Sequence, residues 1–239
     1  MRLDKALSLA GYTRSEAKAL IAKGRVSVGG DAVRNPGLNV EPRDVLLDGA
    51  PVDIETELYL MIHKPAGVVT ATEDKHLPTV VSLLPENLQR RKIGPVGRLD
   101  RDVTGLVLLT TDGQLAHRLI SPKWKAEKTY RAVCEGKLSK LDALAFAAGL
   151  ELSDFVAQPA KMEILSAQED FSVADVTLTE GKFHQVKRMF IAVGHPLVKL
   201  ERLRIGCVQL DPALAPGEFR RLTAEEIEGL KRMSDMIKE

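Results

Sequence analysis

Residues 97–109 constrain this chain more than any other stretch. The loop Gly97-Arg98-Leu99-Asp100-Arg101-Asp102-Val103-Thr104-Gly105 runs straight into an unbroken apolar segment, Leu106-Val107-Leu108-Leu109. That segment, continued to Thr110, reads as a buried strand. A loop braced by such a strand is where a catalytic acid can be held rigidly, and this one sets Asp100 beside Arg98 and Arg101. Taken by itself, an Arg-Leu-Asp turn is an ordinary surface loop with a solvated ion pair. Its meaning depends on what the rest of the chain supplies.

At 239 residues the chain has room for a small domain and a medium one. A hydrophobic share of 44% fits a globular protein with a real core. No apolar run is long enough to span a membrane, and Met1-Arg2-Leu3-Asp4-Lys5 lacks the apolar core of a secretory signal. We therefore expect a cytoplasmic protein with no membrane partner. Cys134 and Cys207 stand far apart in the sequence and read as reduced, buried, structural thiols. No His/Cys cluster has ligand spacing, so no metal is expected.

The net charge is +1, but it is unevenly spread. Residues 1–34 carry seven Lys/Arg against three acids, and residues 86–131 carry ten against five. Two basic zones on a near-neutral chain indicate a local surface facing a polyanion; the plain alternative is an uneven solvated surface.

The first 48 residues read as a compact unit. Leu3, Ala6, Leu7 and Ala10 recur at helical spacing, and Gly11 closes that helix. Thr13-Arg14-Ser15-Glu16 offers a capping box for a second helix, which buries Ala17, Leu20 and Ile21 and stops at Gly24. Residues 26–33 alternate and turn as a hairpin. The acidic stretch 49–57, with Pro51, reads as a linker. Beyond it, residues 58–239 mix strands with helices in an α+β pattern, a mostly antiparallel sheet with flanking helices. Strands are expected at 58–62, 106–110, 129–135, 173–178 and 203–210. Asp112 caps a helix that runs to Ile120 and is stopped by Pro122. Another helix spans His184 to Val193, and Thr223-Ala224-Glu225-Glu226 caps a last one.

Three segments join the Asp100 loop to a chemistry: Gly97-Arg98-Leu99-Asp100, Lys128-Thr129-Tyr130, and Glu180 to Phe190, which contains His184-Gln185-Val186-Lys187-Arg188. In this order they resemble the motifs of pseudouridine synthases, RNA-modifying isomerases. With Lys64-Pro65-Ala66-Gly67 before them and Arg204-Ile205-Gly206 and Ala215-Pro216-Gly217-Glu218 after, nearly the whole chain is similar to the RsuA group. It departs at His63, where that family often has Asn. Residues 1–48 resemble the S-four-type RNA-binding domain, notably in Arg2-Leu3-Asp4, Arg14-Ser15-Glu16-Ala17 and Gly24-Arg25-Val26-Ser27-Val28.

The resemblance implies roles. Asp100 would attack the ribose or deprotonate it, with Asp102 as a solvated competitor. Lys187 would pair with that aspartate, since a partly buried carboxylate stays ionised only beside a cation. Tyr130 would stack on the target base and relay a proton. Val186 would touch the base's other face, and Arg98 would fill the space left by a flipped-out nucleotide. Arg2, Lys5, Arg14, Lys18, Lys23 and Arg25 would meet RNA phosphates. The isomerisation is neither a redox step nor a net hydrolysis, so no cofactor is expected. The implied substrate is a uridine of small-subunit (16S) ribosomal RNA, free or in an assembling subunit, met by a monomer. Large-subunit rRNA and a non-catalytic role in ribosome assembly remain the alternatives. A glycosidase-like use of Asp100 lacks a second catalytic carboxylate.

Overall fold

The computed structural model describes residues 1–121 and 124–235; Pro122, the expected helix stop, lies outside them. The chain forms two compact units.

The smaller unit comprises Met1–Leu58 together with Pro85–Ile93. Helices α1 (Leu3–Leu9) and α2 (Arg14–Ala22) pack Leu3, Leu7, Ala17 and Ile21 against Val26 and Val45. The Thr13–Glu16 capping box is present: Thr13 Oγ1 accepts from the Glu16 N–H at 3.2 Å, and Glu16 Oε2 accepts from the Thr13 N–H at 2.7 Å. Strands β1 (Val26–Val28) and β2 (Asp31–Ala32) form the expected hairpin. Its turn, Gly29-Gly30, has φ of 62° and 98°, a conformation that suits a two-residue hairpin and that glycine adopts without strain. Strands β3 (Val45–Leu47) and β4 (Ala50–Pro51) complete a four-stranded sheet in the order β2-β1-β3-β4. Part of the stretch expected as linker is thus an edge strand. Pro51, which has no N–H to donate, is tolerated there because an edge strand has one unpaired side. Residues 85–93, expected in the larger domain, carry the short helix α3 (Glu86–Gln89) and belong to this unit. Arg91 holds them there, donating to the carbonyls of Leu9 and Glu55.

The larger unit comprises Tyr59–Leu84 and Gly94–Glu239. Its sheet takes β5 (Tyr59–Lys64), β6 (Gly94–Val96), β7 (Thr104–Thr110), β8 (Lys128–Glu135), β9 (Lys161–Ala167), β10 (Phe171–Leu178), β11 (Leu197–Ile205), β12 (Val208–Gln209) and β13 (Phe219–Arg221). The main path is β13-β5-β7-β11-β8-β10-β9, with β12 on β11 and β6 on β7. All pairs are antiparallel except β7 with β11. The apolar run 106–109 is buried on both faces, as covered strands are.

Helix α4 (Gly113–Ile120) starts where Asp112 accepts from the N–H groups of Gln114 and Leu115, at 3.1 and 3.0 Å. With α7 (Ala224–Asp235) it packs Leu115, Leu119 and Leu230 onto Met61, Leu106 and Leu108. Elsewhere α5 (Lys140–Ala148) and α6 (Gln185–Ala192) meet through an edge-on contact of Phe146 and Phe190, ring centroids 5.2 Å apart.

Two expectations are corrected. The single strand over 203–210 is a hairpin, β11 and β12, turned at Gly206 (φ 55°). Cys134 is buried, but Cys207 is exposed.

One close approach positions the site. Gly105 on β7 faces Arg202 on β11. A Cβ at Gly105 would lie 2.3 Å from the Arg202 carbonyl oxygen, and its φ is 107°. No other residue lets these two strands come together here.

Candidate active site

The Asp100 loop joins β6 to β7 and is pinned from below. The Leu99 N–H donates to Thr70 Oγ1 at 3.1 Å, and that hydroxyl donates to the Leu99 carbonyl at 2.8 Å. The Val103 N–H closes a turn on the Asp100 carbonyl. The segment Lys64 to Gly67 does more than turn the chain. Lys64 is fully buried, at 0% exposure. Its ammonium donates to the carbonyls of Pro65 (2.9 Å), Val68 (2.8 Å) and Arg101 (3.2 Å). The Gly67 N–H also donates to the Arg101 carbonyl, at 2.8 Å. Burial pushes the Lys64 ammonium down to about 8, against the pull of Asp102 and Asp100. A protonated amine has three hydrogens for three carbonyls, and the fit is complete.

Helix α6 brings Lys187 to this loop. Val186, Met189 and Phe190 are buried on its inner face, and this fixes the direction in which Lys187 leaves the helix. Its Nζ lies 3.1 Å from Asp100 Oδ2 and 2.8 Å from both oxygens of Asp102. Burial would lower the Lys187 pKa, but the hydrogen bonds and charges of the two aspartates outweigh it, and the net direction is up. The hydrogen bond from Lys187 holds the Asp102 carboxyl below the usual range. The two aspartates differ in setting. The Asp102 side chain is 73% exposed and the Asp100 side chain 30%. Asp100, not Asp102, lines a cavity of about 80 Å³.

That cavity brings together Arg98, Asp100, Tyr130, Val186 and Lys187, residues that lie far apart in the sequence. Tyr130 is 8% exposed on β8, between Val176 of β10 and Arg202 of β11. Arg98 is exposed and makes no ion pair or hydrogen bond among the described residues, leaving it available to a ligand. Arg98, Asp100 and Tyr130 also line an adjoining cleft of about 930 Å³.

Arg2, Lys5, Arg14, Lys18, Lys23 and Arg25 all belong to the smaller unit and lie outside this cavity. Lys5, Arg14, Lys18 and Lys23 are exposed. Arg2 pairs with Asp4 at 2.8 Å, and Arg25 pairs with Asp48.

Three contributors lie beyond what the sequence assigns. Lys64 is visible there as a lone lysine ending an apolar strand, a position where burial demands partners. Asp102, expected to be solvated, is tied to Lys187. His184 stands 3.5 Å from Asp100 with φ of 52° and stacks on the exposed Phe183, ring centroids 3.8 Å apart; no local signal announces that backbone. Arg188 faces Asp154, Ser153 and the ring of Phe155 rather than the cavity.

Similarity to known proteins gives the family of this chain. The family profile for RNA pseudouridylate synthases matches residues 58–192, and that of the S4 domain matches residues 1–46. An uncharacterized RNA pseudouridine synthase of Bacillus subtilis is 46% identical over 95% of this chain and 97% of its own length. Ribosomal small subunit pseudouridine synthase A of Escherichia coli is 43% identical over 95% of this chain and 98% of its own. A crystal structure of a pseudouridylate synthase superposes with a TM-score of 0.68 at 38% identity, covering 96% of this chain and 99% of the other. Among the described residues no helix is long and apolar enough to cross a membrane. An aspartate held by a lysine in a tyrosine-walled cavity, on a fold and sequence shared this widely, makes this chain a member of the RNA pseudouridylate synthase family, with an S4 domain at its N-terminus.

Proposed function

We propose that the protein converts a uridine of small-subunit ribosomal RNA to pseudouridine, with Asp100 as the reacting carboxylate. The observation that carries this is the 3.1 Å contact of Asp100 with Lys187 at the edge of the cavity that Tyr130 lines. The reaction breaks the N1–C1′ bond of the nucleotide, turns the base, forms a C5–C1′ bond, removes the proton from C5 and returns one to N1. Lys187, 3.1 Å away, pairs with the Asp100 carboxylate and orients it to attack C1′ or take a ribose proton. Tyr130 supplies an aromatic face for the detached base and a hydroxyl within the same cavity. Val186 closes the opposite wall. A base inside folded RNA enters only after leaving its stack, and the unpaired Arg98 takes the vacated place.

The choice of small-subunit rRNA rests on the Escherichia coli and Yersinia pestis relatives, both named ribosomal small subunit pseudouridine synthase A, the latter 44% identical. In this reading a monomer works in the cytoplasm on free rRNA or on an assembling subunit. Lys5, Arg14, Lys18 and Lys23 meet phosphates outside the reacting nucleotide. The test is tritium release from rRNA labelled at uridine C5. Release from small-subunit rRNA, mapped to one position, supports the reading; release from large-subunit rRNA alone moves the substrate, and no release from either with binding intact removes the activity.

A further inference from the structure

We propose that Lys128 and Arg202 form a binding site for one backbone phosphate of the RNA, set in the floor of the cleft beside Tyr130. This rests on the reading of the cleft as the place where an RNA strand delivers its uridine.

Strand register puts the three side chains together. Arg202 is directly opposite Tyr130 across the β8–β11 pair, and Lys128 lies two residues before Tyr130. All three therefore project from one face of the sheet, and all three line the cleft. Arg202 is buried, at 3% exposure. Its Nε donates to the Leu106 carbonyl at 2.8 Å, while its Nη2 is buried with no hydrogen-bond partner. Lys128 makes no hydrogen bond or ion pair among the described residues. Burial, and then the nearby Arg202, push its pKa down.

The acids around the cleft are already engaged. Asp100 is held by Lys187. Glu180 accepts from the Gln158 N–H and the Gln185 amide, with Lys182 at 3.8 Å. Two neighbouring cations thus stand in a partly dry site with no free counter-charge among the described residues, an arrangement that is costly until an anion arrives. A phosphate diester carries that charge and has two free oxygens to accept from an ammonium and a guanidinium. A uracil carbonyl could accept a hydrogen bond but would neutralise neither cation.

The test compares the full chain with its Lys128→Gln and Lys128→Arg variants, with Lys140→Gln on the exposed start of α5 as control. Equilibrium binding of a single-stranded oligouridylate is measured across salt concentrations. Removing one cation from a phosphate of a single strand lowers the slope of log K against log salt by about 0.7. We expect that drop in Lys128→Gln, a restored slope in Lys128→Arg, and no change in Lys140→Gln. In the tritium assay Lys128→Gln should raise KM about tenfold, with kcat within about threefold. An unchanged slope in Lys128→Gln, or an equal drop in the control, overturns the proposal. The binding measurement needs no turnover. The lowered slope in Lys128→Gln, with no tritium released even by the wild type, would keep the phosphate site and refute the isomerase reading. Turnover with an unchanged slope would do the reverse.

Discussion

The cations expected to hold RNA in the smaller unit and those around the site in the larger unit are set in opposite ways. In the smaller one Lys5, Arg14, Lys18 and Lys23 stand in water, while Arg2 and Arg25 are matched to single acids. In the larger one Lys64 and Arg202 are buried, Lys187 is mostly covered, and each is held at a defined distance from its partners. Exposed cations bind phosphate with little regard for geometry and lose that attraction to salt. Buried cations cost desolvation and repay it only when geometry is fixed. The first set suits holding an RNA, and the second suits acting on one nucleotide of it.

This contrast can be broken from either side. The largest effect is expected at Lys187. Lys187→Met leaves Asp100 and Asp102 without their shared cation, and kcat should fall about 10²–10³-fold while RNA affinity changes little; a loss confined to KM would place Lys187 among the holding residues. Next is Lys64→Met, which removes three hydrogen bonds and orphans buried carbonyls. It should lower stability by about 2–4 kcal/mol in denaturant titration, with reduced turnover. Full stability would mean that the Asp100 loop does not depend on its buried lysine.

A smaller effect belongs to the exposed set. The double variant Arg14→Gln, Lys18→Gln should weaken RNA binding and flatten its salt dependence, with kcat unchanged at saturating RNA. A fall in kcat would contradict the division of labour.

The smallest effect is on pH. The native Lys64 ammonium titrates near 8, below its ordinary value of 10.5, so between those values the unfolded chain binds the extra proton. Stability of the wild type relative to Lys64→Met should therefore rise as pH increases through that window, by roughly 1–3 kcal/mol at most. A flat difference would mean that the three carbonyls hold the proton more tightly than burial expels it.

Local physics makes much of this fold legible. The Thr13–Glu16 box, the Asp112 cap, the Gly29-Gly30 turn and the apolar run 106–109 each act within a few residues, and each stands where the sequence places it. The break at Gly206 is hidden because it depends on α7: a Cβ there would meet Met233 at 2.8 Å, an approach that no window of sequence contains. The place of residues 85–93 is hidden for the same reason, since Arg91 reaches back to carbonyls at positions 9 and 55. In the site, Asp100, Tyr130 and Lys187 are legible through motif resemblance rather than spacing. The tie of Asp102 is not, because exposure of a loop acid says nothing of a lysine 85 residues away. Lys64 belongs to a segment of the motif resemblance that reads as a turn; its burial is signalled instead by a lysine closing an apolar strand.

In the proposed mechanism one carboxylate of the pair reacts and the other only holds the lysine. Tritium release by Asp100→Asn and Asp102→Asn, measured side by side on the same rRNA, tests it most directly. We predict that Asp100→Asn loses at least about 10³-fold in turnover while RNA binding stays within a few fold, and that Asp102→Asn stays within about tenfold of wild type. Equal losses, or the larger loss in Asp102→Asn, would contradict the claim.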